Sequence, residues 1–498
     1  MQRNLLKPWV CITPMVTLSL SFFACGGGGS GNNNDEPGLG ELVFSEIMYN
    51  AGGTDTLEYV ELYNGTDTAI SMANLILAGG VDYQFSANAP VLESGDYLVL
   101  TGDTAAFRDR YGESAYGPWT GNLDNSGESL KLKDSTGDEI ISMEYSNDPP
   151  WPGMADGGGY SLVFVGDDQN SGTSWLASSE TGGSPGSKNS AADEITVRVN
   201  EVLPGGNSDG GWVELYNSSS ESVDIGGWWL TDDIESGAQL TIPSGTSISG
   251  NGYVVFAEAD WGTSFYPSMT GESVYLVKAN TGSSSGLVYP ALDSGISAGV
   301  ITLTDGSLTM GPLASTSSGA TNGTAKVGPL AFSEIMYHPA DGGYEYLEIQ
   351  NLTDEAITLS DASDAQKTWK VTGVDFSFPT GAEIAANGKV VLVSKDDADT
   401  AVFRSAKAVP DSVPVYGYDG KLSNSGETII IKQPLIQVAK SDGSTDYANA
   451  WSDVAAYSDS DPWPSSPDGD GSSLTRVDFT LSGSDAEAWD AGDQTPGR

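Results

Sequence analysis

Hydrophobic residues recur along this chain in short runs, rich in Val, Ile, Leu and Tyr and closed off by Gly, Asn, Asp or Pro. Such runs predict β-strands, and a long series of them predicts a sandwich or barrel. In Tyr97-Leu98-Val99-Leu100 apolar residues occupy both sets of alternate positions, which predicts a central strand covered on both faces. Helical patterning is rare. Asp103 as N-cap, Phe107 and Tyr111 four residues apart, and Gly112 just beyond predict one short helix, and Phe403 sits in a similar setting.

The runs repeat as a set. Leu42-Val43-Phe44-Ser45-Glu46-Ile47-Met48-Tyr49-Asn50 returns as Leu330-Ala331-Phe332-Ser333-Glu334-Ile335-Met336-Tyr337-His338, and more loosely as Val197-Arg198-Val199-Asn200-Glu201-Val202-Leu203. Each opening is followed by a second strand: Glu58-Tyr59-Val60-Glu61-Leu62-Tyr63-Asn64, Trp212-Val213-Glu214-Leu215-Tyr216-Asn217 and Glu345-Tyr346-Leu347-Glu348-Ile349-Gln350-Asn351. The first and last copies share Asn-Ser-Gly-Glu (125–128 and 424–427), Pro-Trp-Pro (150–152 and 462–464) and an Asp-Gly step. They close on Ser184-Pro185-Gly186 and Thr495-Pro496-Gly497; the middle copy keeps Gly271-Glu272 and closes around Ser318-Gly319. The predicted organisation is a leader over 1–24, a tether over 25–40, and three modules over 41–188, 195–327 and 328–498, the middle one divergent. With 63 Gly and 24 Pro in 498 residues, many strands joined by turns are expected over long helices. No stretch is left for a separate catalytic domain.

The first residues read as an address. Arg3 and Lys7 precede an apolar stretch, Trp9 to Ala24, too short to span a bilayer, then Cys25 and a Gly/Asn-rich run. This resembles a bacterial lipoprotein signal: Ala24 and Cys25 fit its lipobox, although Phe22 stands where Leu is usual. The resemblance implies that Cys25 is diacylated and becomes the mature N-terminus, with the protein in the cell envelope, at the outer membrane or cell surface. Cys11 and Cys25 are the only cysteines, so removal of the leader leaves no disulfide. The tether, at roughly 20 Å root-mean-square reach, lifts the modules clear of lipid headgroups.

The repeated strings, from Phe44-Ser45-Glu46-Ile47-Met48-Tyr49-Asn50 through the Asn-Ser-Gly-Glu and Trp-Pro segments to the final Ser-Pro-Gly, also resemble the lamin tail domain. The resemblance covers nearly the whole mature chain, strongly in the first and last modules and moderately in the middle one. It implies immunoglobulin-like β-sandwiches and hence an all-β chain. It implies no activity of its own, and so a binding or architectural role.

Several residues remain as candidate chemistry. Glu46, Glu201 and Glu334, with Glu61, Glu214 and Glu348, recur although glutamate is a poor strand residue. Paired carboxylates cleave glycosides or hold cations; the alternative is a cross-strand pair bonded to the backbone. Asp459, Asp461, Asp468 and Asp470, together with Asp156-Gly157, suggest a weak Ca²⁺ loop, against plain Asp-Gly turns. Trp151 and Trp463, held between prolines, could stack on a sugar ring, although capping the sandwich end is the preferred reading. In Trp228-Trp229, alternation points one ring inward and one outward, the outward one being a contact candidate. The single histidine, His338, excludes multi-histidine metal sites and reads as a turn residue. Asn217-Ser218-Ser219 and Asn351-Leu352-Thr353 match the N-glycosylation pattern.

With 68 acidic and 21 basic residues, a net charge of −47, nucleic acid is excluded as a partner. The expectation is a non-enzymatic, lipid-anchored envelope protein whose spaced array binds or scaffolds an unknown protein or polysaccharide, with no catalytic residues and no cofactor beyond Ca²⁺. The alternatives are an accessory scaffold for an envelope hydrolase and a carboxylate-based polysaccharide hydrolase.

Overall fold

The computed structural model describes residues 40–52, 55–166, 168–206, 210–440 and 443–498. The leader, Cys11, Cys25 and nearly all of the tether lie outside them. The described chain is all-β, with two α-helices and no helix long and apolar enough to cross a membrane.

The sheets come in three facing pairs along the chain. In the first pair, Leu42–Met48 lies at the centre of a five-stranded sheet, flanked by Leu162–Phe164 and Tyr59–Asn64, with Trp175–Ala177 and Tyr97–Thr101 at the edges. The facing sheet carries Gly127–Lys133 and Glu139–Ser146. Phe44, Leu62, Leu77, Leu130 and Met143 fill the space between the two. The second pair centres on Val197–Leu203 and the third on Leu330–Met336. Each pair encloses its own core.

The helix predicted after Asp103 forms over Thr104–Tyr111. The Asp103 carboxylate accepts the Ala105 and Ala106 N–H groups, and Gly112 ends the helix at φ 75°. A second helix, Thr400–Lys407, carries Phe403. The first helix corrects the reading of Tyr97-Leu98-Val99-Leu100: Tyr97–Thr101 is an edge strand. Its outer apolar face packs Val99 against Phe107, so a helix supplies the second cover expected from a sheet. The equivalent middle strand, Tyr253–Ala257, has no such helix and is only partly buried.

The modules are not spaced apart. Met154, Ala177, Ile234, Tyr275 and Val277 form one apolar cluster across the first junction. The Tyr275 ring lies so close on Gly153 that a Cβ there would sit 2.5 Å from its Cε1, and its hydroxyl donates to Asn147 O at 3.2 Å. Of Trp228-Trp229, expected to point one ring inward and one outward, Trp228 lies in the middle core and Trp229 packs half-buried on this same cluster. At the second junction Thr304 donates through N–H and hydroxyl to Asp485 at 2.9 and 2.5 Å, and the Ala291 N–H donates to Asn449 O at 3.0 Å. Asn449 belongs to a ribbon, Gly426–Ala439 with Thr445–Ser458, twice as long as its first-module counterpart.

Tyr275→Ala is expected to cost about 3 kcal/mol in guanidinium unfolding, the cavity penalty of a lost aromatic. A change below about 0.5 kcal/mol, the size of a surface substitution, would mean that the two modules touch without stabilising each other.

Candidate functional site

The recurring glutamates face one another in the first two strands of every copy. Glu46 pairs with Glu61, Glu201 with Glu214 and Glu334 with Glu348, and all six are at most 1 % exposed. The register slips by one residue immediately before each pair, making a bulge at Ser45, Asn200 and Ser333. The bulged side chain then donates to the second glutamate: Ser45 Oγ to Glu61 at 2.8 Å, Asn200 Nδ2 to Glu214 at 2.8 Å and Ser333 Oγ to Glu348 at 2.6 Å.

The remaining donors come from the closing segment of the same copy. Ser184 N–H donates to Glu46 at 2.9 Å and Gly186 N–H to Glu61 at 2.6 Å. Thr495 N–H donates to Glu334 at 2.9 Å and Gly497 N–H to Glu348 at 2.5 Å. In the middle copy Ser317 N–H and Oγ donate to Glu201 at 3.1 and 2.6 Å, and Gly319 N–H donates to Glu214 at 2.5 Å. Alternate amides are used, so the residue between them needs none, and proline, which has no N–H, fits there in two copies. The glycine that follows sits at φ 78–81° in all three, a left-handed conformation that other residues adopt only with strain.

A serine at or just before the start of the neighbouring strand completes each first glutamate: Ser161, Ser297 and Ser473 donate at 2.5, 2.6 and 2.6 Å. Tyr59 and Tyr346 hydroxyls donate to Glu46 and Glu334. Glu348 also has an ion pair, with Lys389 Nζ at 2.7 Å. The carboxylates are thus occupied by the chain itself where a hydrolase would need room for substrate and water. This arrangement matches the backbone-bonded alternative.

Burial sets the electrostatics. It raises the Glu46 carboxyl, against donation from Ser161, Ser184 and Tyr59. It pushes Glu61 up to about 8, with Glu46 across the strand adding to the effect. Glu46 faces four donated hydrogen bonds, which only an ionised carboxylate fully accepts. The proton of the pair therefore belongs on Glu61, which receives fewer donors, from Ser45 and Gly186.

Two further devices repeat. Glu128, Glu272 and Glu427 each accept a turn N–H, from Asp124, Ser268 and Ser423, and a hydroxyl, from Tyr145, Tyr289 and Tyr457. Asn64, Asn217 and Asn351 are fully buried. Each side-chain oxygen accepts the N–H and hydroxyl two residues on, at Thr66, Ser219 and Thr353, and each Nδ2 donates to backbone carbonyls. The apparent glycosylation motifs are Asx turns in the fold.

The other candidates fall into place around these. His338 Nδ1 meets Asp468 Oδ1 at 2.5 Å, as Asn50 Nδ2 meets Asp156 Oδ1 at 2.8 Å, so both residues tie the end of the first strand to the Asp-Gly turn. Among the described residues no three His, Cys, Asp or Glu side chains gather as a metal site. Asp459, Asp461, Asp468 and Asp470 are not gathered into such a cluster: Asp468 meets His338, and Asp459 accepts from Ser460. Trp151 and Trp463 are buried against Trp175 and Trp489.

Two substitutions separate the roles within the first pair. Glu61→Gln keeps an acceptor for Gly186 and removes the titrating proton. Wild-type stability falls as pH rises from 4.5, where the unfolded glutamate ionises, to about 8, where the folded one does. Glu61→Gln is expected to flatten that slope, by up to a few kcal/mol across the window, read as unfolding midpoints from pH 4.5 to 8.5. An unchanged slope would place the charge elsewhere. Glu46→Gln sets an amide against four donors and is expected to cost about 2–3 kcal/mol near neutral pH. An equal or smaller loss than Glu61→Gln at that pH would reverse the assignment.

No curated protein and no solved structure matches the chain. Residues 36–147 and 190–291 do match a family model, that of the Lamin Tail Domain. The chain carries lamin-tail-domain-like repeats in those two regions, in agreement with its all-β sandwiches.

Proposed function

We propose that this is a non-enzymatic, lipid-anchored cell-envelope protein whose β-sandwich array binds or scaffolds a surface partner, a protein or a polysaccharide. Residues 328–498 are read as a third lamin-tail-like repeat, because they reproduce the bulge, the glutamate pair and the clamped closing segment of the other two. The observation that carries the reading is the fate of the six recurring glutamates. All are buried and bonded to the chain's own closing segments, which directs function to the outer surface and the module junctions. The anchor rests on Cys25 and the run that precedes it. A net charge of −47 favours neutral or basic partners and disfavours nucleic acid.

Detergent phase partitioning of cells expressing the full chain tests the anchor. Wild type is expected in the detergent phase and Cys25→Ser in the aqueous phase or unprocessed, since stable anchoring needs two or more acyl chains. Wild type in the aqueous phase with a free thiol contradicts the anchor. Pull-down from intact cells, before and after protease shaving, tests the surface partner.

A further inference from the structure

The junction of the three modules encloses a groove of about 230 Å³. The first module contributes Pro149 and Pro150, the latter opening its Pro-Trp-Pro segment; the third contributes Trp451 from the long ribbon and Pro462-Trp463 from its own Pro-Trp-Pro segment; the middle module contributes the strand Leu308–Pro312. The Trp451 ring also lies near Gly311, where a Cβ would come within 3.9 Å of it. No single module contains this site.

We infer that the groove is a binding site for a ring of a neutral polysaccharide, which gives the proposed binding role a place and a ligand class and rests on that reading. Three features of the lining select this ligand. Indole and proline surfaces from Pro150, Trp451 and Pro462, backed by the edge of buried Trp463, suit the apolar face of a pyranose. Ser307, Ser460, Asp305 and Asp461 supply hydroxyls and carboxylates for sugar hydroxyls; Asp305 Oδ1 already accepts the Ser307 N–H and hydroxyl, leaving Oδ2 for a ligand. No Lys, Arg or His lines the groove itself, Lys432 standing across the ribbon from Trp451, so phosphate, sulfate and uronate ligands meet the carboxylates of Asp305 and Asp461 there. A proline-rich peptide would also favour aromatic walls. Its prolines carry no N–H, however, and offer neither carboxylate a donor. The volume, below the usual ~300–1,000 Å³ of a drug-sized pocket, fits one ring with the chain continuing outward.

The test is affinity electrophoresis and tryptophan-fluorescence titration of the full chain in detergent. The probes are dextran, soluble β-1,3-glucan, galactomannan, polygalacturonate and a decaproline peptide. Retardation by at least one neutral polysaccharide, with a fluorescence change, is expected, and none by polygalacturonate. Trp451→Ala is expected to weaken that binding at least tenfold. Thr309→Trp, which fills the groove from the middle module without removing a core side chain, should do the same, and circular dichroism should stay that of wild type. Four results overturn the groove: no neutral polysaccharide bound, decaproline or polygalacturonate preferred, binding unchanged in Thr309→Trp, or binding lost in Trp451→Ala but kept in Thr309→Trp. If neutral polysaccharide binding survives both substitutions, the binding role stands and only its location falls.

Discussion

Two glutamates set opposite one another on adjacent strands and sealed from water repel each other and lose their hydration. They persist only where donors converge on them. In each copy those donors arrive from three directions: the bulged residue on the first strand, a serine at or just before the start of the neighbouring strand, and two amides of the closing segment. The carboxylates therefore bind the end of each module to its beginning, across 125 to 161 residues in the first and third copies. Since the first strand lies centrally in its sheet, this tie reaches the sandwich core. Taking away one donor would leave a buried charge short of a partner, so the bulge, the serine and the closing segment stand or fall together.

The same logic explains the acidic excess. Part of it is structural: Glu128, Glu272 and Glu427 hold turns, and Asn50 and His338 meet Asp156 and Asp468. Without disulfides among the described residues, the modules are held by cores and by these buried acceptors. Their packing on one another, through Tyr275 at one junction and Asp485 at the other, makes surfaces that no copy has alone.

Much of this was legible in the sequence. The strands, the helix from Asp103 to Gly112 and the alternative of backbone-bonded glutamates all follow from local pattern and repetition. What was missed depends on contacts distant along the chain. Glu46 and Ser184 are visible separately, but nothing local joins residues 138 positions apart. The misreading of Tyr97-Leu98-Val99-Leu100 has the same origin, because apolar residues on both faces say that the strand is covered and not by what. One ring of Trp228-Trp229 was expected to point outward; Trp229 does leave its own core, and the neighbouring module receives it. The Asp-Gly spacing suggested a cation because aspartate supplies the same oxygen to a metal, an imidazole or a turn N–H. In the fold, Asp468 offers that oxygen to His338.

Hydrogen exchange of the closing segments tests the central claim most directly. Peptides covering residues 184–188, 317–321 and 495–498 of the full chain would be followed by mass spectrometry. The account predicts protection of Gly186, Gly319 and Gly497 comparable to that of the central strands. In Glu46→Ala it predicts loss of protection over 184–188 while the other two segments stay protected. Closing segments that exchange at the rate of free peptide in the wild type would contradict it, for the buried glutamates would then be held by something other than the ends of their own modules.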